Sequence, residues 1–257
     1  MLKINLLEKP RNIESPEARG RNVELRLIFI RHGEKDPNDK VGGRLTEYGK
    51  QQFEEFAERE LSNPDRTLVV FGSDIVRTLQ SGHSAFQKSK ANFKSTPDPL
   101  NALSLNIGSR DPNRVPKISD DFLKKIVSMS PNENVQHWMS YGDKRPDEST
   151  MSPREMAAGL AQLIVDYDKK IDNIQSGSKT DVLAVSHDFI LSSFLQEAFG
   201  IKPAQGDESV HTAEPFFMTI RTDDTGTHSL QFEFRGKKYN IKIDELRELA
   251  NYHYEQK

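Results

Sequence analysis

The chain has 257 residues, enough to bury one large core, and 29% of them are charged, at a formal net charge of −3. That balance excludes a general basic surface for nucleic acid, so any anion site has to be local. The lack of cysteine excludes disulfides, thiolate metal sites and a cysteine nucleophile, and the N-terminus is too polar for a signal or membrane-spanning helix, so a cytoplasmic protein with no membrane partner is expected.

Residues 1–22 lack sustained periodicity and read as an N-terminal arm or strap, with residues 23–257 as a single domain. "ELRLIFI" (24–30), "TLVVFG" (67–72) and "DVLAVS" (181–186) are short apolar runs rich in Val, Ile and Leu, the pattern of strands buried on both faces. Helical spacing follows Thr46 (Tyr48, Phe53, Phe56, Ala57, Leu61), and Asp74 is placed to cap a helix carrying Ile75, Val76, Leu79 and Phe86. Residues 92–150 are rich in proline and turn signals, with one helical stretch, "DFLKKIVSM", and read as an insertion forming a lid or pocket wall. Ser152, Pro153 and Glu155 combine an N-cap, an N1 proline and a capping-box acid, and "FILSSFLQEAFG" ends at a glycine suited to the C′ position. "PFFMTIRT", "SLQFEF" and "KYNIKI" then suggest an antiparallel meander, before a last helix that Asp244 would cap. This alternation predicts an α/β fold: a three-layer α/β/α sandwich around a mostly parallel mixed sheet, with the insertion over the site and a C-terminal β-meander.

Each buried strand is followed at once by polar groups: Arg31 and His32, then Ser73 and Arg77, then Ser186, His187 and Asp188. Ligands in open α/β sheets bind at the carboxyl ends of the strands, so three parallel neighbours would bring two arginines and two histidines together. Arg31 and Arg77 then suit a phosphate through forked, charge-assisted hydrogen bonds, helped by N–H groups at the start of the second helix. Neutral His32 suits attack on phosphorus, its other ring nitrogen held by a backbone carbonyl, while His187 stabilises charge on the equatorial oxygens.

Four blocks in order, "FIRHGEKDPN", "RLTEYGKQQ", "SDIVRTLQSG" and "LAVSHDFI", resemble the signature segments of the histidine phosphatase superfamily, the phosphoglycerate-mutase-like family. The resemblance covers roughly residues 24–200. It implies a phosphatase that hydrolyses a phosphomonoester or phosphoprotein through a phosphohistidine on His32, with Arg31, Arg77 and His187 around the phosphate. Asn38, Gly33 and Ser73 would bind substrate, and the arginines would neutralise charge with no metal or other cofactor. The rival readings are a phosphoglycerate-mutase-type phosphotransferase and a phosphate- or phosphohistidine-binding module without turnover.

The chain departs from the family in its proton donor. "DPLNALSLNIG" has no glutamate where many members carry one, whereas Asp188 matches the distal His-Asp of the acid-phosphatase branch. Asp188 is therefore the candidate acid if burial outweighs the arginines, and otherwise a helix-start carboxylate; Glu34 and Asp111 are further candidates. His137 and Trp138 read as a core pair, and Arg110, Arg114, Lys144 and Arg145 as solvated loop charge rather than a second anion site. His83 reads as a structural helix residue, and His211, His228 and His253 as loop or tail positions without a partner motif.

Overall fold

The computed structural model describes residues 19–39, 43–105, 117–202 and 210–255. At the centre, β1 (Glu24–Arg31), β2 (Thr67–Gly72) and β5 (Lys179–Ser186) run parallel, with β5 paired to β2 on one side and β1 on the other. Alternation along β1 splits the core in two. Ile28 and Ile30 face Phe53, Phe56 and Ala57 of α1 (Glu47–Glu60) and Ala85 of α2 (Val76–Lys88). Leu27 and Phe29 face Leu160 and Ile164 of α5 (Pro153–Ile171) and Phe194 of α6 (Asp188–Phe199). Helices on both faces explain why the central residues of these strands are apolar toward both sides, and they make the expected three-layer sandwich.

The meander also forms: β6 (Pro215–Thr222) pairs antiparallel with β1, then β7 (His228–Phe234) with β6 and β8 (Lys237–Ile241) with β7. Two-residue strands β3 (Phe93–Lys94) and β4 (Asp98–Pro99) extend the other edge beside β2. Thr46 caps α1 by accepting from the Gly49 N–H, Ser152 and Glu155 form the capping box of α5, and Gly200 ends α6 at φ 65°.

Other details differ. Ile75, not Asp74, holds the N-cap of α2: its carbonyl accepts the Thr78 N–H (3.0 Å) and its N–H is taken by the Ser73 hydroxyl (3.1 Å). The last helix, α7 (Ile243–Glu255), starts two residues early, so Asp244 lies in its first turn, paired with Arg247 at 2.8 Å. Among its described residues the 92–150 region holds two α-helices rather than one, α3 (Asp120–Ile126) and α4 (Pro131–Met139), the second started by a Ser130/Glu133 capping box. Within α4, Trp138 is fully buried but His137 is exposed on the rings of Phe122 and Tyr141, so the expected core pair is half right. Of the N-terminal arm, residues 1–18 lie outside the described residues; Arg19 already bridges to Gln175 and the Asn22 N–H reaches the Asp223 carbonyl. Among the described residues no helix is long and apolar enough to cross a membrane.

Candidate active site

β1, β5 and β2 end side by side, and their polar tails meet. His32 follows β1, His187 follows β5 and caps α6, and Arg77 reaches in from the first turn of α2. The two imidazoles lie with centroids 5.3 Å apart. Arg77 donates through Nε to His32 Nε2 (2.9 Å) and through Nη2 to His187 Nδ1 (3.3 Å). Both rings must therefore present a lone pair to Arg77 and carry their proton on the opposite nitrogen. Those protons have acceptors: His32 Nδ1 donates to the Gly33 carbonyl at 2.8 Å, and His187 Nε2 donates to Ser73 Oγ at 2.8 Å.

The electrostatics agree with neutral rings. Burial first, and then the Arg77 charge, push His32 down to about 3, and the same causes hold His187 well below the usual imidazole range. Arg77 is itself pushed down to about 10, chiefly by burial and then by Arg31. The cluster is short of negative charge. Arg31 makes the same point, since Nη1 is held by Asp188 Oδ2 (2.9 Å) and the Val210 carbonyl (2.6 Å), while its buried Nε finds no hydrogen-bond partner among the described residues.

The blocks next to the histidines act as splints. A Cβ on Gly33 would run into the Gly49 carbonyl, and one on Gly49 into the Glu34 backbone, so the loop after β1 lies directly on α1. Gln52 Oε1 accepts the Glu34 N–H at 2.9 Å, and Gln80 Oε1 accepts the Leu45 N–H at 3.0 Å. Thus Thr46, Gly49 and Gln52, one helical turn apart, fasten the segment that carries His32.

Not every expected residue joins. Asn38 is exposed in a turn where its N–H donates to Asp36 Oδ1 (2.8 Å), outside the histidine cluster. The Gly33 N–H is taken by Ser81 Oγ (3.1 Å), and the Gly33 carbonyl is the group that meets His32. Ser73 likewise orients His187, its hydroxyl already engaged with Thr78, Ile75 and the imidazole. Asp188 is buried; Oδ2 faces Arg31 and Oδ1 accepts from the Ser192 hydroxyl at 2.6 Å, yet burial outweighs Arg31 and raises its pKa. Glu34 is exposed and accepts the Thr46 hydroxyl (2.7 Å), whereas Asp111, Arg110 and Arg114 lie outside the described residues. Arg145 is claimed by buried Glu155 (2.8 Å from Nε), Lys144 is exposed, and His83 sits exposed on α2 against Phe86. His228, by contrast, has partners, in a cluster with Asp168 and Asp172. Residues that sequence reasoning passed over are Ser81, Ser192 and Val210; small hydroxyls at helical spacing from Arg77 and Asp188 are the signal for the first two, and nothing local marks a backbone carbonyl.

No family model and no curated protein matches the sequence. Solved structures do: the architecture is that of the histidine phosphatase fold. A structure described as mycobacterial hydrolase 2 aligns with a TM-score of 0.54 at 14% identity, over 90% of this chain and 98% of that one. The native structure of a mycobacterial glucosyl-3-phosphoglycerate phosphatase aligns with a TM-score of 0.52 at 15% identity, over 83% and 99%. Bacillus stearothermophilus YhfR gives 0.50 at 17% identity, over 85% and 98%. At these identities the likeness is one of fold.

Proposed function

We propose that this chain is a phosphatase of the histidine phosphatase superfamily that hydrolyses a phosphomonoester or phosphoprotein through a phosphohistidine on His32. The observation that carries the reading is the pair of neutral imidazoles held by one arginine, with the His32 Nδ1 proton fixed on the Gly33 carbonyl. That tautomer leaves the Nε2 lone pair as the nucleophile.

A phosphoryl group supplies the negative charge the cluster lacks. Arg77 turns from the imidazoles to its oxygens, and the orphan Nε of Arg31 gains an acceptor. The dianion also draws His187 toward protonation, which converts Nδ1 from acceptor to donor for charge on the equatorial oxygens. His32 Nε2 then forms the N–P bond as the bond from phosphorus to the leaving oxygen breaks. Asp188, in its protonated form, supplies the proton that oxygen needs. Water attacks the phosphohistidine in turn, gives its proton back to Asp188, and leaves inorganic phosphate and free His32. Two arginines provide the charge neutralisation in this scheme, and no step calls for a metal.

The test is turnover of para-nitrophenyl phosphate by the full chain with chelator present, beside His32→Ala. Turnover that survives chelator and falls by on the order of 10³-fold or more in the variant is expected. Phosphate affinity that stays within a few-fold while neither protein turns over would instead establish the binding-module reading.

A further inference from the structure

Outside the four blocks, one charged side chain is buried close to the cluster. Lys117 lies just before α3, and its Nζ donates to the carbonyls of Asn101 (2.8 Å) and Ala102 (3.3 Å) in the 3-10 turn Asn101–Leu103. That turn is bonded to both strand ends that build the site. The Leu103 carbonyl accepts from the Ser186 hydroxyl at 3.0 Å, next to His187. Ser104 Oγ accepts the Asp74 N–H at 3.1 Å, next to Ser73, and the Leu100 N–H donates to the Gly72 carbonyl at 2.8 Å.

We infer that Lys117 is a positioning residue for the reaction proposed above: its ammonium clamps the 100–104 turn, and through Ser186 and Asp74 that turn sets where His187 and Ser73 stand relative to Arg77. The inference rests on that reading for its catalytic consequence, though not for the clamp itself. Carbonyls pointed at a buried ammonium make charge-assisted bonds, roughly twice as strong as those to a neutral amine, so loss of the proton loosens the turn. Burial pushes Lys117 down to about 8, and the Asp74 carboxylate is the charge that opposes it. On the other side the ammonium's field reaches His187, which it helps to keep neutral. The clamp is therefore closed at neutral pH and opens within the range where most enzymes are assayed.

The molecule carries its own reporter. Trp138, the one tryptophan of the sequence, donates to the Met151 carbonyl (3.2 Å), and the Met151 N–H donates to the carbonyl of Lys117 (2.9 Å). We would follow tryptophan fluorescence and para-nitrophenyl phosphate turnover of the full chain from pH 6.5 to 9.5, beside Lys117→Met and Lys117→Arg. In the unaltered protein both signals should change with a shared midpoint near pH 8. Lys117→Met, neutral throughout, should lose on the order of tenfold in kcat at pH 7 with little change in KM, and show neither transition. Lys117→Arg, charged throughout, should restore activity toward the starting level without the alkaline limb. Should the arginine not fit, Lys117→Met decides alone. A Lys117→Met protein that keeps its pH 7 turnover within twofold, or keeps the same fluorescence transition, overturns the clamp. If the unaltered chain has no turnover that His32→Ala removes, the phosphatase reading fails, and the fluorescence transition still decides the clamp because it needs no substrate.

Discussion

Two places in this molecule hold histidine against charge, and they hold it in opposite states. At the carboxyl ends of the parallel strands, His32 and His187 share one arginine, and burial together with that cation keeps both rings neutral. Where β7 begins, His228 has a carboxylate on each nitrogen, Asp168 on Nδ1 and Asp172 on Nε2, both at 2.8 Å. Two carboxylate acceptors favour the doubly protonated ring, and its pKa is raised although part-burial opposes the charge. Arg247 joins the second cluster at 3.4 Å from Asp168. The same side chain is thus kept neutral or drawn toward its charged form according to the sign of its neighbours, and on the proposed reading only the neutral ring serves as a nucleophile. A neutral lone pair can attack phosphorus; a doubly hydrogen-bonded cation can only hold strand to helix.

The comparison can be broken most severely at Arg77. Arg77→Ala should lower turnover by on the order of 10³-fold, and imidazole NMR should show both His32 and His187 titrating at higher pH, since the cation that depresses them is gone. Unchanged titration would mean that burial alone keeps the rings neutral. A second large effect concerns Asp188. If it delivers a proton, Asp188→Asn should cost on the order of 10² in kcat for an alkyl phosphate and far less for para-nitrophenyl phosphate, whose leaving oxygen needs no acid. Equal losses with both would reduce Asp188 to the partner of Arg31. Gly33→Ala should destabilise the chain by about 1–3 kcal/mol in denaturant unfolding, because the added methyl has only the Gly49 backbone to displace.

The smallest effect distinguishes the two clusters by pH. The folded pKa of His228 lies above its unfolded value, so its contribution is fully present below the unfolded pKa, about 6.5, and disappears as pH rises through the folded value. His32 and His187 act in the opposite sense. The unfolded chain takes up their protons below about pH 6.5 while the folded chain refuses them, down to about 3 for His32, so they remove stability as acid is added. Thermal unfolding of His228→Gln should therefore fall below that of the unaltered chain at pH 6 and approach it at pH 8.5. A gap that does not depend on pH would show that the ring is held by packing instead.

Much of this was legible in the residues themselves. Strands with apolar centres announced a sheet covered on both faces, and the polar group after each strand named the candidate cluster, because strand ends of a parallel sheet lie together whatever the helices do. His32, Arg77 and His187, named on that ground, do meet in space. Asp74 and Asp244 misled as caps for a common reason: a carboxylate at a helix start is a sound local signal, but Ile75 holds the cap of α2 and α7 begins at Ile243. The helix Pro131–Met139 is written in its capping box, yet its nine residues are easily lost among the turns around it. Asn38 lies outside the histidine cluster and the Gly33 N–H is already taken because Asp36 and Ser81 hold these two N–H groups, Ser81 from α2, a contact the local sequence does not announce. The partners of His228 come from 60 and 56 residues earlier, a distance no local pattern spans.

The order β2–β5–β1 places the strand made last between the two made first. A chain growing from its N-terminus emerges with Arg31, His32 and Arg77 long before Lys179–Ser186 exists to join β1 to β2. Until then two apolar strands have exposed edges with no native neighbour between them, a state open to mispairing and to capture by chaperones. The central contacts close loops of about 110 residues or more in register pairs such as Ile28 with Leu183 and Val70 with Leu183, so folding should be slow and late. Fragments that end before residue 178 would lack not only His187 but the surface on which the other half of the site is assembled.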